Sequence, residues 1–239
     1  MFTIDSIQDH YGLNKSFPNI AFLQTNVEDV FTDTPLEEWY EEGLWKNSSN
    51  SLLHLSDSSR LALIWKFGGI YLDLDIVMLK SMLGLRNFLI KQSEEDLCNG
   101  IFGFDNNHPF IVNCMYNLGK QCKKSNNSFG CGGPPMFTAI FKTMCGDSKK
   151  IKEEESCNIK ILPVNSAFPV PYKEWRDYFN KSSKVKVNLK MKYSYLIHTW
   201  NFLSSKEKLR IGSGSAYEQA IRSNCPLVYE KVLKDNGVL

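Results

Sequence analysis

Ser56-Asp57-Ser58-Ser59-Arg60-Leu61-Ala62-Leu63-Ile64-Trp65-Lys66-Phe67-Gly68-Gly69-Ile70-Tyr71-Leu72-Asp73-Leu74-Asp75 sets a helix, a glycine stop, a strand and two acids in succession. Ser56 or Asp57 stands where a side-chain oxygen caps the free amides of a first turn. Leu61, Ile64, Trp65 and Phe67 follow at helical spacing. Gly68-Gly69 ends such a helix, because glycine enters left-handed backbone without a Cβ clash. Ile70-Tyr71-Leu72 is a short β-prone run, so Asp73 and Asp75 are expected at or just past the end of a buried strand. Residues two apart on a strand point the same way. Two carboxylates side by side repel unless a cation lies between them. Hard divalent cations such as Mg²⁺ or Mn²⁺ take oxygen ligands and share them between carboxylates and substrate phosphates. The motif therefore reads either as a divalent site holding a phosphorylated ligand or as a loop with two solvated acids.

Upstream, Ile20-Ala21-Phe22-Leu23 after Pro18 reads as a short buried strand, and Thr34-Pro35-Leu36-Glu37-Glu38 as a helix start with Thr34 capping. Downstream, Phe88 to Lys91, Gly100 to Phe104, Ile159 to Val164 and Tyr195 to His198 are strand candidates. Phe110 to Lys120, Phe137 to Met144 and Ala216 to Ser223 are helix candidates, and Ser125 to Pro135 is loop-like. Strands and helices alternate, which predicts one α/β domain over 1–239 with a mixed, mostly parallel sheet. In such sheets ligands bind beyond the carboxyl ends of strands.

Two further groups carry chemistry. Asp57 and Arg60 lie one helical turn apart, so they pair on a surface or jointly face a ligand. His198-Thr199-Trp200-Asn201 closes a late strand, and His198 reads as a third ligand for a transition metal or as a core histidine.

The 239 residues suffice for a real core. Net charge is +2, which gives no nucleic-acid footprint. Lys181 to Lys192 reads as a solvated face or loop. No apolar run reaches the roughly 18–20 residues of a membrane span. Seven cysteines without a C-x-x-C pair point away from zinc. Sequons begin at Asn14, Asn47, Asn126 and Asn180, and with the cysteines they lean toward the secretory lumen.

The run from Leu55 to Asp75 resembles the core of the α1,4-glycosyltransferases, the galactosyl- and N-acetylglucosaminyl-transferases that carry a D-x-D motif. Phe31 to Leu36, Trp39-Tyr40, Asn99-Gly100 before a strand, Gly133-Pro134 before a helix, Phe141-Lys142 with Cys145, and His198-x-Trp200-Asn201 extend the likeness. It covers about Phe17 to Val232. The resemblance implies a GT-A fold, a UDP-sugar donor, Mn²⁺ (or Mg²⁺), retention at the anomeric carbon and Golgi location. It implies a glycolipid (lactosylceramide-like) or glycan acceptor. Asp73, Asp75 and His198 become metal ligands. Asp57, Arg60, Gly68, Gly69, Tyr71 and Asp73 become donor-side residues. Asn99, Gly100, Gly133, Pro134, Trp200 and Asn201 become candidates around the sugars. The family's chains have an anchor, a stem and a first strand–helix unit before the point where this sequence starts, so a domain without that unit is expected. Two other readings compete: a non-catalytic remnant of the same fold, and a haloacid-dehalogenase-like phosphatase, since Asp73-Leu74-Asp75-Ile76-Val77 formally fits D-x-D-x-[TV].

Overall fold

The computed structural model describes residues 2–3, 15, 17–124, 132–146, 155–207 and 210–234. The chain divides into two compact units built from interleaved segments. The first includes Phe17–Leu72 and Leu85–Leu162, the second Asp73–Gly84 and Pro163–Leu239.

In the first unit, β1 (Phe2–Thr3) pairs parallel with β2 (Leu23–Gln24). Helices α1 (Val27–Phe31), α2 (Glu37–Glu41) and α3 (Ser51–Phe67) follow. A five-stranded sheet then forms from β3 (Gly69–Leu72), β5 (Phe88–Lys91), β6 (Leu97–Phe104), β7 (Glu155–Ser156) and β8 (Ile159–Leu162), in the order β3-β6-β5-β8-β7. Helices α4 (Pro109–Lys124) and α5 (Pro134–Cys145) complete the unit. Its core joins Phe31, Leu36 and Trp39 to Leu61, Phe102, Phe110 and Phe137. Cys145 and Cys157 form a disulfide, while Cys114 and Cys225 are free thiols.

The second unit has β4 (Ile76–Met78) antiparallel to β9 (Leu196–His198), with helices α6 (Lys184–Met191), α7 (Asn201–Ser204), α8 (Ala216–Asn224) and α9 (Pro226–Lys234). Val77 and Ile197 face each other across the ladder and bury with Val170, Tyr178, Val187, Ala216 and Ile221. Hydrophobic burial of that one face fixes the register.

The mixed α/β sheet is as expected, but its parallel pairing is the minority. Only β5–β8 runs parallel within the five-stranded sheet, because β6 returns directly on β5 and β3 pairs antiparallel with β6. The strand before the acids is not a buried one. β3 pairs with β6 alone among the described residues, so it is an edge strand with Ile70 exposed.

Other boundaries move for identifiable reasons. Ser56 and Asp57 do not cap α3, which begins five residues earlier at Ser51. Instead Ser58 and Ser59 return their hydroxyls to the His54 and Leu55 carbonyls, so the serines are absorbed into the helix. Thr34 does not open a helix either. Its hydroxyl donates to the Phe31 carbonyl (2.6 Å) and accepts from the Leu36 amide (3.2 Å), making a turn, and α2 starts at Glu37. The expected strand at Ile20-Leu23 shrinks to Leu23–Gln24 because a turn closed by the Ile20 amide on the Phe17 carbonyl precedes it. Asn99-Gly100 lies inside β6 rather than before it. The lysine-rich stretch folds into α6, with Val187 buried, and α9 continues the chain where no helix was read. Most of the expected loop Ser125 to Pro135 lies outside the described residues; Pro134 opens α5 at its first position.

Candidate functional site

Asp73 and Asp75 occupy the bend between β3 and β4, with Leu74 exposed between them. The β4–β9 register sets Ile76 opposite His198, which carries the imidazole to the carboxylate one residue before Ile76. His198 Nε2 lies 3.3 Å from Asp75 Oδ1. The other oxygen, Oδ2, accepts from the Asn201 amide (2.8 Å). Thr199 donates from its amide (2.9 Å) and its hydroxyl (3.0 Å) to the Asp75 carbonyl. Asp75 is therefore held at both its side chain and its backbone by residues more than a hundred positions later. One ligand atom from each of Asp73, Asp75 and His198 lies within 4.8 Å of the other two.

The imidazole is fixed from behind. Its Nδ1 accepts from the Trp200 amide (3.1 Å), which turns Nε2 toward the acids. Burial lowers the His198 pKa; the charges of Asp75 and Asp73 oppose this without overcoming it. With Nδ1 accepting, the ring's proton lies on Nε2 facing Asp75 Oδ1, and a cation taken there would displace it. Two carboxylates and an imidazole on converging atoms fit a divalent cation in donor type and in number.

Trp200 adopts left-handed backbone (φ 57°), uncommon for a bulky residue. Its indole N–H donates to the Val170 carbonyl (3.0 Å), and its ring packs 5.1 Å from Phe168, 4.8 Å from His198 and 6.2 Å from Tyr172. Backbone strain of this kind persists only where surroundings over-determine it. Phe168 and Tyr172 were not singled out from the sequence. Asn201 was expected among the sugar-side residues, and the structure shows its amide on Asp75.

The first unit gathers a second polar cluster. Asp57 and Arg60 are 3% and 6% exposed. Arg60 Nη2 lies 3.2 Å from Asp57 Oδ1, and Nη1 donates to the Asn99 carbonyl (2.9 Å). Asn99 donates through Nδ2 to Asp57 Oδ1 (3.0 Å) and to the Gly132 carbonyl (3.1 Å). The guanidinium carbon stands 4.7 Å from the Tyr71 ring centre. Gly132, absent from the sequence candidates, is required here: a Cβ would meet Asp57 Cβ at 2.9 Å. Gly133 precedes α5 as its cap and Pro134 begins it, while Gly100 is buried in β6. Gly68 turns the chain out of α3 with φ 65°, its amide on the Ile64 carbonyl (2.8 Å), and Gly69 follows at φ 99°. The structure thus brings Asp73, Asp75, His198, Trp200 and Asn201 together in one unit. It brings Asp57, Arg60, Tyr71, Asn99 and Gly132 together in the other.

Residues 103–232 match the model described as "Alpha 1,4-glycosyltransferase conserved region". The chain belongs to the alpha 1,4-glycosyltransferase family. Residues 5–95 also match a "Glycosyltransferase sugar-binding region containing DXD motif", which spans Asp73 and Asp75 and, as such regions do in general, implies a divalent metal. Lactosylceramide 4-alpha-galactosyltransferase of Mus musculus is 32% identical over 91% of this chain and 60% of that protein. The sequence of that name from Pongo pygmaeus is 33% identical over 90% of this chain and 97% of its own length. Alpha-1,4-N-acetylglucosaminyltransferase of Homo sapiens is 32% identical over 92% and 67%. The chain spans about three-fifths of the length of several of these relatives. Among solved structures, PaToxG Glycosyltransferase aligns over 55% of this chain and 50% of its own at 17% identity, with a TM-score of 0.43, a likeness that decides nothing. Family membership removes the phosphatase reading of Asp73-Leu74-Asp75-Ile76-Val77.

Proposed function

We propose that this chain transfers galactose or N-acetylglucosamine from a UDP-sugar to a glycolipid or glycan in α1,4 linkage, with retention and with Mn²⁺ or Mg²⁺. The convergence of Asp73, Asp75 and His198 within 4.8 Å carries the reading. Asp73 and Asp75 supply the oxygen donors, and neutral His198 the nitrogen that favours Mn²⁺. A cation held there neutralises the charge on a departing diphosphate. Asn201 and Thr199 hold Asp75 in place, and Trp200 locks the imidazole. Trp200 and Tyr172 offer aromatic faces on which the C–H side of a sugar packs. Asp57 and Arg60 keep the donor-side role, and Asn99 the place among the sugar-site candidates, that the family resemblance implies for them. In the transfer, the bond between C1 and the phosphate oxygen breaks, the acceptor hydroxyl bonds to C1 on the face that UDP leaves, and its proton goes to the departing phosphate.

A secretory lumen, the Golgi for this family, suits the Cys145–Cys157 disulfide and the exposed sequon at Asn180. Titration calorimetry of UDP with Mn²⁺ and with EDTA tests the proposal. Binding that needs Mn²⁺ and weakens at least about tenfold in Asp73→Asn and Asp75→Asn is the expected result. UDP binding that ignores both EDTA and these substitutions would overturn it.

A further inference from the structure

The second unit displays an apolar stripe that its core does not use. On α6, Val187 is buried, while Val185 and Leu189, one turn apart, are 72% and 68% exposed. Tyr193, four residues past Leu189, is 68% exposed. Leu83, in the turn before Gly84, is 96% exposed. The two segments are tied together beside Tyr193. Lys80 Nζ donates to the Lys192 carbonyl (2.6 Å), and the ammonium groups of Lys80 and Lys192 stand 5.9 Å and 5.4 Å from the Tyr193 ring centre.

The charges around this stripe are not alike. Lys186 and Lys190 are neutralised by Glu174 and Asp177. Lys80 and Lys192 are exposed and have no carboxylate partner among the described residues. Aliphatic and aromatic side chains standing in water, rimmed by uncompensated lysines, match a surface that is apolar beneath an anionic layer.

We propose that this face docks the chain onto an anionic lipid surface, with Leu83, Val185, Leu189 and Tyr193 entering the headgroup layer and Lys80 and Lys192 meeting lipid phosphates. Tyr193 suits that depth, because a phenol presents an apolar ring and a wet hydroxyl. Lysine stems lie along apolar matter while their ammonium groups remain in the polar layer. An acidic protein surface would satisfy the lysines but gives no reason for Val185, Leu189 and Tyr193 to follow one another exposed at four-residue spacing, with Leu83 exposed three residues past Lys80. The inference concerns the surface on which the chain works and stands apart from which sugar it moves.

Sedimentation with vesicles tests it, using the whole chain and lipids of stated composition. Each lysine near an anionic surface strengthens binding roughly fivefold, so two give about twenty-five-fold. Vesicles of phosphatidylcholine with about one-third phosphatidylserine should therefore bind at least about tenfold more protein than phosphatidylcholine alone, with most of the gain lost in about 0.5 M salt. Leu189→Glu with Tyr193→Glu should abolish binding, and Lys80→Glu with Lys192→Glu should remove the preference for anionic lipid. The second pair changes only exposed side chains, so it remains informative if the first pair impairs folding by circular dichroism. Equal binding to both vesicle types, or none, overturns the proposal. So does binding that the lysine pair abolishes while the folded Leu189/Tyr193 pair leaves it unchanged, which would mean a charge-only surface suited to an acidic protein.

Discussion

Asp57→Ala removes one partner of an ion pair that is almost wholly out of water, with Asp57 3% and Arg60 6% exposed. Breaking such a pair costs ~3–5 kcal/mol, because the remaining charge stays buried without compensation. Arg60 keeps the Asn99 carbonyl at 2.9 Å, the Ser56 hydroxyl at 3.1 Å and the Tyr71 ring, which places the cost near the lower end, about 3 kcal/mol. The loss also frees Asn99 Nδ2 from its 3.0 Å bond to Asp57 while leaving its bond to Gly132. For a chain of this length each kcal/mol moves Tm about 2–4 °C, so Asp57→Ala should melt about 6–12 °C lower. Arg60→Met in addition removes the guanidinium charge that faced Asp57 and fills its space with an apolar side chain. The double variant should then be less destabilised than the two single variants summed, by about 1–3 kcal/mol. Urea denaturation of the wild type, both singles and the double completes the cycle. A cost under about 1 kcal/mol for Asp57→Ala, or strict additivity, would refute the view that this is a buried, coupled pair.

Two further perturbations test single features. Gly68→Ala places a Cβ 2.9 Å from the Asn106 amide nitrogen and 3.2 Å from the Phe104 carbonyl oxygen at φ 65°, and since backbone atoms cannot swing aside the cost should be ~2–3 kcal/mol in urea; an unchanged midpoint would deny the turn. Glu218 is buried, and burial pushes its pKa up, but the Gly212 and Gly214 amides with the Tyr229 and Ser213 hydroxyls outweigh that and hold the carboxyl below its ordinary range. A depressed folded-state pKa stabilises above the unfolded value and loses that contribution as pH falls through the folded one. Glu218→Gln should therefore be weaker than wild type by ~1–3 kcal/mol at pH 7, with the gap closing below about pH 4.5. A gap that stays constant with pH would mean that the carboxylate charge does not hold the loop.

The local signals were strongest where a short span of chain answered for itself. Gly68 ended α3 as read, Phe88–Lys91 formed as read, and the helix read over Phe110 to Lys120 formed within α4. They failed where a residue had two local uses. Ser56, Asp57 and Thr34 are good capping residues in isolation, yet α3 continues upstream of the first two, with His54 buried and Leu55 packed on the core, and Thr34 closes a turn. β3 looked buried because Ile70-Tyr71-Leu72 is apolar, but apolar composition does not tell an edge strand from a central one.

By itself, the sequence determined the alternation of elements, the family, and the residue types of the candidate metal site, since Asp73, Asp75 and His198 are legible as motif and resemblance. Only the tertiary structure decided their assembly. The bond from the Asn201 amide to Asp75 spans 126 positions, and it exists because Val77 and Ile197 bury on one face and so fix Ile76 opposite His198. The same holds for Asn99 and Gly132 around Asp57 and Arg60. Periodicity and capping act over a few residues, whereas a buried polar group takes whatever partner the core brings within reach.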